Sequence, residues 1–491
     1  MWVPQQVDQR IINFCALYQA WQACQKRKAG KAAAQKYQMR LLDNLWNTLF
    51  SLQAANYQAT ASYCFVTLKP KLREIHAAHF GDRVVHHYLV PKLEALWEPW
   101  FIHDVYSNRK NKGTHKAVQR CQNFMRKADA GYFLQLDIQN FFYSIDQSIL
   151  IRLLEKGLQK ALKQSKINLQ QASFYKYLCQ TFIQADFSKT YELTPQHSAN
   201  LPVHKQLKQQ PKGQGLPIGN LTSQFFANVY LNELDQYIKH QLKCRYYVRF
   251  VDDFILMADN AEQLKNWHQK IGHFVKNQLG LNLKPQYQLK AVASGADFLG
   301  YIVRPYYLLV RRRVVANLKT KLRAFEQQWV SRPTPHSQHT HWQVCSTQVD
   351  QLRAVLASYI GHFKHASSLK LIQSLWQTYP WLNYLFSFDA QHYQLTLKTT
   401  PPKTAGYKQQ LAFFRNAYPN AKLDVQFGTQ RRRYLPQATT PQYTVKIQQA
   451  GYNQLGLRQR KVKAIVSANA HPNFLLLTLF GEHYGNHVAT P

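Results

Sequence analysis

Two adjacent acids inside an apolar run constrain this chain more than any other feature. The stretch YYVRFVDDFILMA, residues 246–258, sets Asp252 and Asp253 between two segments that read as strands. An ionised carboxylate is costly to bury unless it is paired or binds a cation. The pattern therefore predicts a strand, a tight turn carrying the acids, and a returning strand. A third acid, Asp137, closes the short apolar strand GYFLQLDI. Acids gathered at strand ends suit phosphoryl transfer with two divalent ions about 4 Å apart, one activating a 3′-hydroxyl and one stabilising leaving pyrophosphate. Hard carboxylate oxygens favour magnesium, two ions, with manganese as a substitute. The plainer alternative is a polar hairpin turn with a capping Asp.

The rest of the composition agrees with a polyanionic partner. Lys and Arg number 62 against 25 Asp and Glu, a formal net charge of +37 over 491 residues. Basic side chains that neutralise phosphates release counterions, so nucleic acid fits best. No stretch of about 18 apolar residues and no single basic amphipathic helix stands out, which argues against a membrane partner. The start MWVPQQVDQR lacks the basic flank and apolar run of a secretory signal, so a cytoplasmic protein is expected. Seven cysteines, widely spaced and without a CxxC pair, support neither a disulfide framework nor a zinc cluster. His86-His87 falls in a run of helical periodicity and reads as packing or a phosphate contact.

The length suggests roughly three domains or lobes. Residues 1–60 read as an N-terminal helical segment, with KRKAGKAAAQKYQMR as a basic, exposed connector. YCFVTL reads as a strand, LKPKLREI as its basic sequel, and the run to Trp100 as a helix. Gly113 and Thr114 form a turn and helix cap. Residues 163–212 form a partly helical insertion with a loop, and LTSQFFANVYLNELDQYIKHQL is a helix. ADFLGYIVRP and YYLLVRRRVV pair as strands; 314–330 and 347–378 are helical, joined by the linker SRPTPHSQHTH.

The ordered series LQLDIQNFFYSID, QGLPIGNLTSQFFANVYLNELD, YVRFVDDFIL, LGLNLKP and FLGYIV resembles the palm motifs of reverse transcriptases. The likeness extends over residues 60–380, and GLPIGNLTSQ, GTHKAV and FLGY point to the enzymes of diversity-generating retroelements and related phage-defence reverse transcriptases. It implies an α+β right-hand polymerase: fingers over 61–130, palm over 131–305 with the insertion, a helical thumb over 306–395 and a small α/β accessory domain over 404–491. It implies RNA-templated DNA synthesis in a bacterial retroelement or anti-phage system. The partners are then an RNA template transcribed from the same locus, the cDNA product and dNTPs, with an accessory protein or a second copy of the chain compatible. Alternatives are a polymerase with weak or no template dependence, and a silent RNA-binding scaffold; the intact acids argue against the latter.

By position within those motifs, Asp137 and Asp252 ligand both metals, Asp253 supports them, and the Ile138 carbonyl is a further ligand. Phe142 matches the aromatic gate that excludes a 2′-hydroxyl; the alternative is a core aromatic, since one member of Phe141-Phe142-Tyr143 must face inward. In the loop 215–224, Gly219 allows close backbone approach, and Ser223 and Gln224 contact substrate or template. Lys71 and Arg73 alternate on a finger strand to grip the triphosphate, or else line a solvated edge. Arg311, Arg312, Arg313, Lys364 and His365 track a template–primer duplex. The motif lysine expected after LGLNLKP is replaced by Gln286 or Tyr287, with Lys284 and Lys290 flanking, which leaves no assigned general acid. QQLAFFRNAYPNAKLDVQFGTQRRRYLPQ faintly resembles the start of a MutS-type mismatch-recognition domain, but Gln430-Arg431-Arg432-Arg433 stands where its aromatic-x-acid pair belongs.

Overall fold

The computed structural model describes residues 7–8, 11–68, 71–187, 190–198, 200–331 and 340–398, and beyond 398 the strand residues named below with 412, 415 and 416. The chain divides into two units, 1–299 with 303–306, and 300–302 with 307–491.

In the first unit, the helix Phe14–Gln25 starts where the Asn13 side chain accepts a hydrogen bond from Ala16 N at 3.0 Å. Leu17, Ala20, Trp21 and Cys24 recur at helical spacing and are buried, and the helix packs on Phe80–Trp97. The basic connector expected at 26–40 is itself partly helical, over Ala32–Gln38. Its Ala34 and Tyr37 are buried, Tyr37 against Phe80 at 5.0 Å between ring centroids, while Lys31 and Lys36 stay outside. Tertiary burial of two residues thus overrides a polar local pattern. His86 is core, edge-on to Phe182, and burial pushes its imidazole down to about 3. Gly113, at φ +121°, holds the position before the helix Thr114–Lys127.

Strands β1 (Tyr63–Thr67) and β2 (Arg73–Ala77) form an antiparallel hairpin. Strand β3 (Tyr132–Asp137) follows; β4 (Tyr191–Glu192) adds in parallel to β1. The expected insertion contains the helix Leu169–Ile183, begun by a reciprocal Asn168–Gln171 capping box. Strands β5 (Tyr246–Phe250), β6 (Asp253–Ala258) and β7 (Gln288–Ala291) complete an antiparallel four-stranded sheet of order β5-β6-β3-β7. The interiors of β5 and β6 are buried without alternation because helices cover the sheet: Thr114–Lys127 packs on β5 and β6, and Ala261–Leu279 on β3 and β6. Leu221–Gln236 is the expected long helix, continuing into a wide turn over Tyr237–Gln241. Helices packed on an antiparallel sheet give the first unit the α+β class expected from the sequence.

Three short strands, Ala296–Phe298, Tyr301–Val303 and Leu308–Val310, lie where the chain passes between units. In the second unit the helices Arg312–Trp329, Ser346–Phe363 and Leu369–Thr378 share a core of Leu318, Leu322, Leu352, Leu356, Phe363 and Leu375. The linker expected at 331–341 lies mostly outside the described residues, but its end enters the strand Thr340–Cys345, which pairs in parallel with Leu475–Phe480. The remaining C-terminal strands are Ala421–Phe427, Gln430–Tyr434, Tyr443–Gln449 and Val462–Ser467. The arginine run at 431–433 sits on a paired strand opposite Asp424, Val425 and Gln426. Most of residues 404–420, the start of the expected accessory domain, lie outside the described residues.

Asp82, in the first turn of Phe80–Trp97, is buried beneath hydrogen bonds from the Tyr57 hydroxyl and from Thr60 N at 3.0 Å. Burial pushes its carboxyl up to about 6 against the pull of those donors. The folded chain therefore keeps a proton that the unfolded chain releases near about 3.9, so stability is lost as pH rises through this window. The unfolding free energy of the native protein relative to Asp82→Asn should fall by about 2 kcal/mol between about pH 4 and about pH 7. Paired denaturation curves across that range test this, and a pH-independent difference would contradict it.

Candidate active site

Strand register brings the three sequence-selected acids together. Asp137, the last residue of β3, lies opposite Asp253, the first of β6, and Phe250 at the end of β5 also faces Asp253. Asp252 is in the turn between, where its carbonyl accepts from Ile138 N at 3.3 Å. Three carboxylates thus converge at one end of the sheet.

Their electrostatics are set by burial and mutual charge. Burial, and then the neighbouring Asp137, pushes the Asp252 carboxyl up to about 6. Burial raises Asp253 to about 7; the Gln135 amide, donating to Asp253 Oδ1 at 3.0 Å, pulls it down, and the other two acids push it up. The Lys284 ammonium pairs with Asp137 Oδ2, and Lys284 N donates to the Asp137 carbonyl at 2.8 Å. Asp137 Oδ1 is buried with no hydrogen-bond partner. An orphaned carboxylate oxygen beside two acids that repel one another fits hard divalent cations.

The turn that presents Asp252 is strained. Val251 has φ +57°, a left-handed conformation that a β-branched residue rarely adopts, in a position where a two-residue hairpin usually has glycine. Such a conformation costs about 1–3 kcal/mol and persists only where its surroundings enforce it. Here Val251 N donates to Ser107 Oγ at 2.9 Å, and the Val251 carbonyl accepts from Arg249 Nη1 at 2.9 Å. Arg249 is fully buried and held by a two-pronged pair with Asp235, Nε–Oδ1 at 2.7 Å and Nη2–Oδ2 at 2.5 Å. Tyr247 donates to the same Asp235, and Asn228 bridges Arg249 to Ser107. Fork geometry of this kind fixes a guanidinium rigidly.

The flanking segments are tied to the same end of the first unit. Phe141 and Tyr143 are buried, while Phe142 between them is half-buried in a turn begun by Asn140 at φ +46°. The loop 215–220 closes on that turn: Leu216 N donates to the Phe142 carbonyl at 2.7 Å and Gly215 N to the Ile145 carbonyl at 2.8 Å. Gly219, exposed at φ +121°, passes so close to His76 that a Cβ would lie 3.0 Å from its carbonyl. Ser223 is buried and Gln224 half-exposed in the first turn of Leu221–Gln236. Arg73 opens β2 and Lys71 lies in the bend ahead of it; both are exposed. In the second unit, Arg312 and Arg313 open one helix and Lys364 follows another, with Lys364 exposed. Their neighbours Arg311 and His365 are half-exposed, and Ser367 N donates to the Leu308 carbonyl at 2.9 Å, so the two basic segments are adjacent. Sequence reasoning left Lys284 as a flank, and passed over Gln135, Asp235 and Arg249. Gln135 had a signal, since it shares the strand face of Asp137, and so did Arg249, a charge inside an apolar strand.

Residues 67–303 match the family model described as reverse transcriptase (RNA-dependent DNA polymerase). This chain carries a reverse transcriptase domain. Among curated proteins, the group II intron-encoded protein LtrA of Lactococcus lactis subsp. cremoris is 23% identical over 298 residues, covering 48% of this chain and 45% of LtrA. The putative COX1/OXI3 intron 2 protein of Saccharomyces cerevisiae is 20% identical over 296 residues, covering 46% of this chain and 31% of that one. The chain thus spans less than half the length of these relatives. Apo telomerase from Candida tropicalis superposes with a TM-score of 0.36 at 12% identity, over 54% of this chain and 53% of that one, too low a likeness to bear on the fold.

Within the reverse transcriptase domain, the Arg249–Asp235 pair should be essential to the shape of the acidic turn. Asp235→Ala leaves a buried, unpaired guanidinium and should destabilise the domain by about 3–5 kcal/mol. The double change Asp235→Leu with Arg249→Met should recover most of that stability in chemical denaturation while the Val251 carbonyl stays without its donor and activity stays low. Full activity in the double variant would show that the pair does not position the turn.

Proposed function

We propose that this chain is an RNA-directed DNA polymerase that copies an RNA template into complementary DNA from deoxynucleoside triphosphates. The observation that carries the reading is the register of Asp137 against Asp253 with Asp252 in the adjoining turn, and a buried Asp137 oxygen left without a partner. Asp137 and Asp252, with Asp253 and the Ile138 carbonyl beside them, would hold two divalent ions, magnesium or in its place manganese. When bound, such ions supply activation of the primer 3′-hydroxyl and neutralisation of charge on the departing pyrophosphate.

The chain's own residues do the positioning. Lys284 balances the charge of Asp137, and Gln135 orients Asp253. Arg249 and Ser107 hold the turn that aims Asp252. Phe142, half-buried between two core aromatics, serves as the wall beneath the sugar that leaves no room for a 2′-hydroxyl. Its backbone tie to Leu216 couples that wall to the loop through which Gly219 and Gln224 approach the incoming nucleotide or the template. Arg73 and Lys71 supply exposed positive charge for the triphosphate. Arg311, Arg312, Arg313, Lys364 and His365 follow the backbone of the template–primer duplex, in keeping with the +37 charge of the chain. The resemblance of the motifs supports service in a bacterial retroelement or an anti-phage system, with a template transcribed from the same locus.

Purified protein with magnesium, a primed RNA and deoxynucleotides should extend the primer, and Asp252→Ala should reduce extension to background. In the same assay Phe142→Ala should raise ribonucleotide use relative to deoxynucleotide by about 10- to 100-fold. Undiminished extension by Asp252→Ala would refute the metal assignment; an unchanged sugar preference would make Phe142 a core residue.

A further inference from the structure

The β1–β2 hairpin carries a second group of metal-type donors that the polymerase chemistry does not use. Cys64, Glu74 and His76 share the inward face of the hairpin, Cys64 lying directly opposite His76 and Glu74 two residues before it. All three are buried, and their donor atoms lie within 4.8 Å of one another. Cys64 Sγ is 3.6 Å from Glu74 Oε1, and His76 Nε2 is 3.1 Å from Glu74 Oε2.

The histidine is the informative member. Its Nδ1 lies 3.4 Å from Ser62 Oγ, whereas Nε2, with the side chain only 2% exposed, has no aligned hydrogen-bond partner despite its closeness to the carboxylate. A ring with one nitrogen beside a hydroxyl and the other beside a carboxylate, and with a thiol in reach, is the arrangement of a metal-ligating imidazole with its supporting partner.

We propose that Cys64, Glu74 and His76 form a binding site for a divalent transition ion of the zinc class. Sulfur, nitrogen and oxygen donors together suit zinc and exclude magnesium, which takes oxygen alone. Donors around a tetrahedral zinc stand roughly 3–4 Å apart, so the present spacings need only small side-chain movements, and the fourth position is left for water. The thiol gives up its proton as an ion enters, since a thiolate is the ligand. The consequence is a brace. Glu74 Oε2 accepts from Leu207 N at 2.6 Å, and His76 N donates to the Ile218 carbonyl at 2.8 Å. An ion here would stiffen the hairpin that bears Arg73, which these two hydrogen bonds already tie to the chain entering the Gly219 loop.

The test uses the full chain, stripped with a chelator and then exposed to low micromolar zinc or cobalt(II) with magnesium in excess to occupy the carboxylate site. Bound metal after gel filtration is measured by mass spectrometry, independently of polymerase activity. The expected result is about one zinc per chain, a thiolate-to-cobalt charge-transfer band in the near ultraviolet, and loss of both in Cys64→Ser and in His76→Gln. Zinc should also raise the melting temperature of the native protein and not of either variant. Native protein that retains no zinc, or cobalt protein without the thiolate band, overturns the proposal whether or not a variant folds. Retention of the full equivalent by folded Cys64→Ser overturns it equally.

Discussion

Repulsion among three carboxylates is the constraint around which the reverse transcriptase domain is built. Asp137, Asp252 and Asp253 would separate if the backbone allowed it, since burial and mutual charge push Asp252 and Asp253 up to about 6 and 7. Cross-strand pairing forbids separation, because moving Asp137 from Asp253 means breaking the β3–β6 ladder at its end. Lys284 offsets part of the charge. A site of this kind is pre-organised in that its repulsion is met by the sheet before any ligand arrives.

The same reasoning explains the most expensive interior feature, the Arg249–Asp235 pair. Fully buried ion pairs seldom add stability over apolar packing. This one spends its hydrogen bonds on the carbonyl of a valine in left-handed conformation and, through Asn228 and Ser107, on that valine's amide. A helix, a strand and the segment before Thr114 are thereby committed to the geometry of one turn. Lys71, Arg73 and Gly219, by contrast, are exposed.

Much of the site was legible in the sequence because acids within apolar strands are energetic anomalies that demand explanation. Asp137, Asp252 and Asp253 stood out on those grounds, and the motif order supplied Phe142, of which the flanking Phe141 and Tyr143 indeed turn to the core. The residues that complete the centre were harder. Lys284 reaches Asp137 across a long chain separation that only the sheet topology closes, and Asp235 resembles any acid on an amphipathic helix until Arg249 is seen opposite it. The short helix Ala32–Gln38 was hidden by its charge, because two buried side chains outweigh a basic local pattern. Glu74 and His76 show strand alternation in the sequence, yet Cys64 joins them only through hairpin register.

The most direct test is anomalous diffraction from crystals of the protein with a primed RNA template and a deoxynucleotide, soaked in manganese. Two anomalous peaks about 4 Å apart, each about 2.0–2.2 Å from oxygens of Asp137 and Asp252, are the predicted result. Peaks that avoid these carboxylates, or a single ion held elsewhere while the nucleotide is in place, would contradict it.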